Sequence, residues 1–386
     1  MSTWKLYVRD SSYLRQAEID DYEEGTFTSV YNDVGTWSLR LDSRSPAAAL
    51  LAEPGSGVVV YRDNVAMYSG IWTELDLTED SKSSTLELRG MSDEIWLADR
   101  EVSPSPGESQ PPYTVQASDV RSGVASTVIT AYVNVNLGPG AIAARRKAGL
   151  TLAADPVVGG TVRGEARWNS SLLEFIQPLA ESGQVGFRVV QVGVGLVFQI
   201  YQGVDRSASV KFSRTLGNLE SSKLTRTRPK GNYIFVGASG SGTSRIVKEF
   251  ADGEALAAWE RIEAPLANTS STSDTTVITQ AGNDALAQGS EQASIEIRPI
   301  ERPDMVYGIH YGLGDKVAIQ LQVPISTPYG VTGQVVDVVR QATISLTKDG
   351  PKTVTPVIGT PARGNVQKLV KAWQQANRRL NELERS

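Results

Sequence analysis

Trp37-Ser-Leu-Arg-Leu41 decides the fold class: Trp37, Leu39 and Leu41 fall on one face and Ser38 and Arg40 on the other. That two-residue alternation is the pattern of a half-buried β-strand. Working outward, the same pattern appears at residues 4–9, 57–62, 66–76 and 84–89, with turn residues such as Asp63-Asn64 and the serine-rich stretch 81–83 between them. One short helix is expected at 47–52, with Ser45 as its N-cap, Pro46 as its first residue and Pro54 stopping it. Six or so strands and one short helix predict a small closed or half-closed β-barrel over residues 1–102.

Beyond this block the pattern changes. Ser103-Pro-Ser-Pro-Gly-Glu-Ser-Gln-Pro-Pro112 is rich in Pro and Ser and reads as an extended linker. Val120, Val124, Val128, Ala131 and Tyr132 then recur at helical spacing behind a cap at Ser118. A second helix is expected at 170–181, with Pro178 inside it and Gly183 as its stop. Residues 185–192 and 195–201 read as a hairpin turned at Gly193. The stretch 211–299 mixes strands at 233–236 and 293–298 with helices at 254–261 and 278–287. Further strands are expected at 316–323, 333–339 and 342–347. The fold class is therefore mainly β with α+β insertions.

Composition excludes much standard chemistry. The chain has 386 residues, 40% hydrophobic and 21% charged, enough to bury cores. With no cysteine and the single histidine His310, it cannot build a disulfide framework, a thiolate metal site or a two-imidazole zinc site. A net charge of −5 argues against a nucleic-acid-coating surface. The start shows no signal-peptide pattern, and no stretch reaches the roughly 18 apolar residues of a membrane span.

Candidate chemical motifs each carry a plainer reading. Gly237-Ala-Ser-Gly-Ser-Gly-Thr-Ser244 lacks the G-K-[ST] of a phosphate loop. The carboxylates at 18–24 and at Glu74, Asp76, Glu79 and Asp80 read as solvated turns rather than a glycosidase pair. His310 reads as a hydrogen-bonded strand or turn residue. No cofactor and no metal are expected. Basic residues gather at Arg145-Arg146-Lys147 and around Arg226, Arg228 and Lys230; on a strand these last three share one face, a solvated face or subunit interface. Near the end, Val366, Leu369, Trp373, Ala376, Leu380 and Leu383 occupy a and d positions of three heptads, the pattern of an amphipathic, coiled-coil-like helix over 364–386.

Several segments in order resemble the N-terminal domain of siphophage tail-hub proteins, minor tail proteins related to myophage baseplate hubs. They are Leu6-Tyr-Val-Arg-Asp10, Glu18-Ile-Asp-Asp-Tyr22, Val30-Tyr-Asn-Asp-Val-Gly-Thr-Trp-Ser-Leu39, Leu50-Leu51, Val58-Val-Val-Tyr-Arg-Asp63, Tyr68-Ser-Gly-Ile71, Gly90 and Leu97-Ala-Asp-Arg100. Trp259-Glu-Arg-Ile-Glu263, Tyr311-Gly-Leu-Gly-Asp-Lys-Val317 and Val354-Thr-Pro-Val-Ile-Gly359 extend the resemblance over about residues 4–360.

The resemblance implies a homotrimeric, pseudo-sixfold ring at the distal end of a virion tail, assembled in the host cytoplasm, each copy giving two tail-tube-like β-barrels. On that reading residues 1–102 are the first barrel and 103–210 a peripheral α+β domain. Residues 211–300 hold part of the second barrel with a mixed insertion, 301–363 complete it, and 364–386 form the terminal helix. The implied partners are the distal tail or tail tube protein, the tape-measure protein, downstream tip or receptor-binding proteins, and genome DNA passing without specific binding. No catalytic residues transfer, so a non-enzymatic role is expected. Two rival readings are a carbohydrate-binding receptor module using Trp4, Trp72, Trp96 and Trp168 as aromatic platforms, and a tail-associated cell-wall hydrolase.

Overall fold

A computed structural model describes residues 3–359, apart from 82–83, 111–112, 114, 169, 270–272, 301, 328–329 and 351. The chain forms two units interleaved in sequence. The first holds Met1–Val210, Arg298–Val317 and Val338–Pro356; the second holds Lys211–Ile297, Ala318–Asp337 and the segment from Val357.

The first unit opens with β1 (Trp4–Arg9), β2 (Arg15–Glu18), β3 (Tyr22–Val30), β4 (Asp33–Asp42), α1 (Pro46–Leu51), β5 (Gly57–Arg62), β6 (Val65–Glu79), β7 (Ser84–Ser92) and α2 (Ile95–Ala98). Then follow β8 (Asp119–Val124), α3 (Ala125–Asn136), β9 (Leu150–Leu152), β10 (Thr161–Ala166), α4 (Leu172–Gly183), β11 (Gly186–Val192) and β12 (Gly195–Tyr201). The second unit begins with β13 (Lys211–Phe212), β14 (Leu219–Thr227), β15 (Tyr233–Gly237), β16 (Val247–Ala251), α5 (Gly253–Trp259), β17 (Ala267–Asn268), α6 (Thr275–Gly289) and β18 (Gln292–Pro299). The chain ends its described course with β19 (Lys316–Thr327), β20 (Gly330–Thr347) and β21 (Thr353–Gly359), along which it passes between the units.

The alternation at Trp37, Leu39 and Leu41 does what it predicts: all three are buried on one face of β4. The ladder order is β20-β3-β4-β7-β6-β5-β1-β2. It runs as an open path, and no closed barrel is found among the described pairings, so of the closed and half-closed forms expected for residues 1–102 the closed one is not seen. Instead a distant segment extends the sheet: β20 pairs antiparallel with β3 from Gln341 opposite Val30 to Thr347 opposite Glu24. The segment expected to complete a second barrel thus gives a strand to the N-terminal sheet. Helix α1 forms as expected, with the Ser45 side chain accepting from the Ala48 N–H at 3.1 Å.

Residues 103–210 do not stand apart from that sheet. Helices α3 and α4 and the sheet β11-β12-β9 share a core with Tyr13, Leu97 and Val102, and Trp96 packs against it. The linker is pinned at its start, where Ser103 and Ser105 are buried and the Ser103 N–H donates to Asn136 Oδ1 at 2.9 Å. Helix α3 begins at Ala125, not behind Ser118, because residues 119–124 pair with β10 as a strand. Helix α4 carries a complete capping box between Ser171 and Glu174. Its left-handed cap is Gln184, one residue past the expected stop. Gly183 is needed for packing instead: a Cβ there would lie 2.2 Å from Ala125 Cβ.

In the second unit, β16 and β17 flank β15, and Ile278 of α6 joins Ile234, Val236 and Ala238 in a small core. Asp252 caps α5 by accepting from the Glu254 and Ala255 N–H groups at 3.1 and 3.0 Å. Among the described residues, no helix is long and apolar enough to cross a membrane.

Candidate assembly surfaces

The outer face of β1 and β5 is built by strand alternation. Leu6 and Val8 point into the core, so Lys5 and Tyr7 point away from it, with Tyr61 opposite Lys5. Beside them β2 ends the sheet and carries Arg15. The β5–β6 turn uses Asp63 and Asn64, both at positive φ (49° and 65°), as a two-residue hairpin of the right hand requires. The tip of the β11–β12 hairpin, Gly193-Val194, overhangs this face and closes a groove of about 560 Å³. Tyr7 and Tyr61 meet edge to face at 5.8 Å, and the Arg15 guanidinium lies 5.4 Å from each ring centroid. Lys5 is paired with Glu18 at 3.2 Å. Leu14 and Val194 stand at the rim, 48% and 64% exposed.

Beneath the groove the same β1 face turns inward. Arg9 is fully buried and donates to Asp93 Oδ2 at 2.8 Å and Oδ1 at 2.5 Å, and to Gln191 Oε1 at 2.9 Å. Ser69 Oγ donates to Asp93 Oδ2 at 2.5 Å, and Gln191 Nε2 returns to the Tyr13 carbonyl at 2.7 Å. Four segments, β1, β6, the β7–α2 turn and β11, are thereby joined by charge-assisted bonds. Burial, reinforced by the Asp93 charge, pushes the Tyr13 hydroxyl up to about 12. Next to Asp93, burial pushes the Glu94 carboxyl up to about 7, although Ser92 and the Val189 N–H, at 2.9 Å, both favour its charged form.

A second edge, open among the described residues, lies on β6. Its ladder with β5 ends where Gly57 meets Ile71, whereas its ladder with β7 continues to Glu79. On that extension Leu77 is 55% exposed, while Arg89 bridges Glu74, Asp76 and Glu87 at 3.3, 3.1 and 2.6 Å.

Of the basic set, only Arg226 lies on a strand, β14, which ends at Thr227; strand alternation therefore does not carry to Arg228 and Lys230, both exposed. Arg226 is engaged by Glu291, which also accepts from Trp259 Nε1 at 3.0 Å. The heptad residues Val366, Leu369, Trp373, Ala376, Leu380 and Leu383 lie outside the described residues. Arg145-Arg146-Lys147 is not a free basic patch: Arg145 donates to the Glu101 carbonyl, Arg146 to the Ala141 carbonyl at 3.0 Å, and Lys147 sits 3.8 Å over the Trp96 ring. His310 Nδ1 accepts from the Val306 N–H at 3.0 Å. Trp72 donates to the Glu53 carbonyl, Trp4 is covered by Arg62, and Trp168 is 39% exposed beside Arg145. Among the described residues, no two of Trp4, Trp72, Trp96 and Trp168 are in ring contact with each other. Among the described residues, no three His, Asp or Glu side chains gather as a metal site.

Sequence reasoning missed both the groove and the network under it. The one available signal was the polarity of Arg9 and Asp93 within otherwise apolar strand and turn segments, which does not reveal that they meet.

No curated protein matches the chain. The solved structures that share its fold include three tail proteins. A tail protein from Neisseria meningitidis MC58 is 14% identical, with a TM-score of 0.55, over 92% of this chain and 96% of that one. The 43 kDa tail protein of prophage MuSo2 from Shewanella oneidensis is 11% identical, with a TM-score of 0.56, over 92% and 98%. Prophage tail protein gp18 from Listeria monocytogenes EGD-e is 12% identical, with a TM-score of 0.54, over 97% and 98%. At these identities the likeness is one of fold. The family model for Siphovirus ReqiPepy6 Gp37-like protein matches residues 5–360, nearly the whole described chain, and the protein belongs to that family.

Proposed function

We propose that the chain is a structural protein of a bacteriophage tail: a hub at the distal end that assembles as a homotrimeric, pseudo-sixfold ring. The observation that carries this reading is a fold shared end to end with three tail proteins, together with family membership over residues 5–360. Two physical features support it. The edge of β6 beyond Ile71, unpaired with β5 among the described residues, offers main-chain hydrogen bonds to neighbouring chains. A ring of identical copies needs such heterologous contacts, closing on rotation. The net charge of −5 suits a channel that passes DNA without retaining it.

In this role the ring joins the tail tube or distal tail protein to host-recognition proteins, with the tape-measure protein as a further neighbour. The heptads Val366, Leu369, Trp373, Ala376, Leu380 and Leu383 bundle with copies or with the next tip protein, and exposed Arg228 and Lys230 serve as contact charges. The work is done by surfaces, not by catalysis. Mass measurement of the purified chain and immuno-electron microscopy of virions test the proposal: a trimer and label at the tail tip are expected. A strict monomer that is absent from the tip would end it.

A further inference from the structure

Arg15 is the unusual member of the β1/β2/β5 groove. Its guanidinium is held 5.4 Å from the centroids of both Tyr7 and Tyr61, and among the described residues its side chain has no carboxylate partner. Cation–π attraction to the two rings holds the guanidinium in place, and its N–H donors remain available to a ligand. Lys5 is already neutralised by Glu18, so the groove carries one uncompensated positive charge on a chain of net charge −5. Cations already lie over both rings, Lys5 and Arg15 over Tyr7 and Arg15 over Tyr61, which favours a charged ligand over a neutral sugar. Arg15 also belongs to β2, the last strand of the sheet, whose outer edge has no partner strand among the described residues. Leu14 and Val194 add apolar surface at either side.

We infer that this groove binds an extended segment of another protein, which adds to the β2 edge and delivers one acidic side chain to Arg15. Main-chain bonds to β2 supply affinity, the bidentate carboxylate–guanidinium pair supplies selectivity, and apolar neighbours of the acidic residue cover Leu14 and Val194. The inference does not depend on ring formation, because it concerns a face of a single chain.

The test uses the full chain and two fluorescein-labelled, end-blocked heptapeptides, Thr-Val-Thr-Glu-Thr-Val-Thr and its Glu-to-Gln counterpart, followed by anisotropy. The Glu peptide is expected to bind at least about tenfold more tightly than the Gln peptide, and Arg15→Gln is expected to remove that difference. Arg15→Lys, which keeps the charge and loses the fork, should recover only part of it. Val194→Glu, a surface change at the rim that removes apolar cover and adds a carboxylate, should weaken both peptides and the Glu peptide more. No binding at millimolar peptide, equal binding of the two peptides, or no effect of Arg15→Gln overturns the inference. Displacement by glucuronate better than by the peptide overturns it in favour of an acidic sugar. Loss of self-association in Arg15→Gln overturns it in favour of a second copy of this chain.

Discussion

Arg9 and Asp93 form a two-pronged ion pair, at 2.8 and 2.5 Å, with neither side chain exposed to solvent. They come from the first strand and from the turn after β7, and through Gln191 they hold the β11–β12 hairpin against the N-terminal sheet. A buried pair of this kind does not guarantee net stability, since both charges leave water; removing one partner strands the other. Arg9→Ala or Asp93→Ala is therefore expected to cost about 3–5 kcal/mol in urea unfolding. The apolar double variant Arg9→Met with Asp93→Leu should lose much less than the sum of the singles. Additive losses would show that the pair does not act as a unit.

Gly90 is set by a crossing, not by a turn. Trp37 Nε1 donates to the Ile71 carbonyl at 3.0 Å directly over it. A Cβ on residue 90 would sit 2.1 Å from that carbonyl oxygen and 2.3 Å from the indole nitrogen. Gly90→Ala should thus break the bond or push β4, β6 and β7 apart, costing about 1–3 kcal/mol as overpacking does. Chemical denaturation checks the loss, and the assigned Trp37 indole N–H resonance, exchanging faster once its bond to the Ile71 carbonyl is broken, checks its cause.

The strand-rich half of this architecture was legible because alternation and turn chemistry are local. Residues 57–62 match β5 in full, and the Ser45-Pro46 start of α1 is correct to the residue. What failed had non-local causes. Val120 and Val124 mimic helical spacing, but β10 captures 119–124 as a strand. The stretch 333–347 reads as two strands and forms one, β20, whose end pairs with β3 more than 300 residues upstream in sequence. Closure of a sheet depends on which strands meet, which periodicity does not encode. The same holds for the groove: Lys5, Tyr7 and Arg15 are near in sequence, but Tyr61 and Val194 reach them only through the fold.

Glu94 predicts a pH dependence. Its carboxyl is raised from the ordinary 4.5 to about 7 in the folded protein, mainly by burial. Between these values the folded state holds a proton that the unfolded state has lost, so this group's contribution to stability falls as pH rises from about 4.5 to 7. Carboxyls held low in the folded chain, such as Asp42 at about 2, act oppositely and below that window. Glu94→Gln keeps an oxygen to accept from the Val189 N–H and carries no charge. Its unfolding midpoint relative to the unsubstituted chain should rise progressively from pH 5 to pH 8. A constant difference across that range would show that Glu94 does not titrate there.

The basic residues on and after β14 separate stability from assembly. Glu291 is almost covered and joins Arg226 to the Trp259 indole, so Glu291→Ala removes an ion pair of Arg226 and the acceptor of the indole N–H at once. A loss of about 1–3 kcal/mol is expected, the cost of removing hydrogen bonds made to a charge. Arg228 and Lys230 are exposed, and among the described residues neither side chain has a carboxylate partner, while the Lys230 N–H donates to the Gly289 carbonyl. Reversing both to Glu should leave the unfolding midpoint within about 0.5 kcal/mol. If they are contact charges between chains, the same reversal lowers the trimer fraction in sedimentation at low salt and less so at high salt, because exposed charges are screened. Unchanged sedimentation at both salt concentrations would remove these two residues from the interface and leave the sheet edges to carry it.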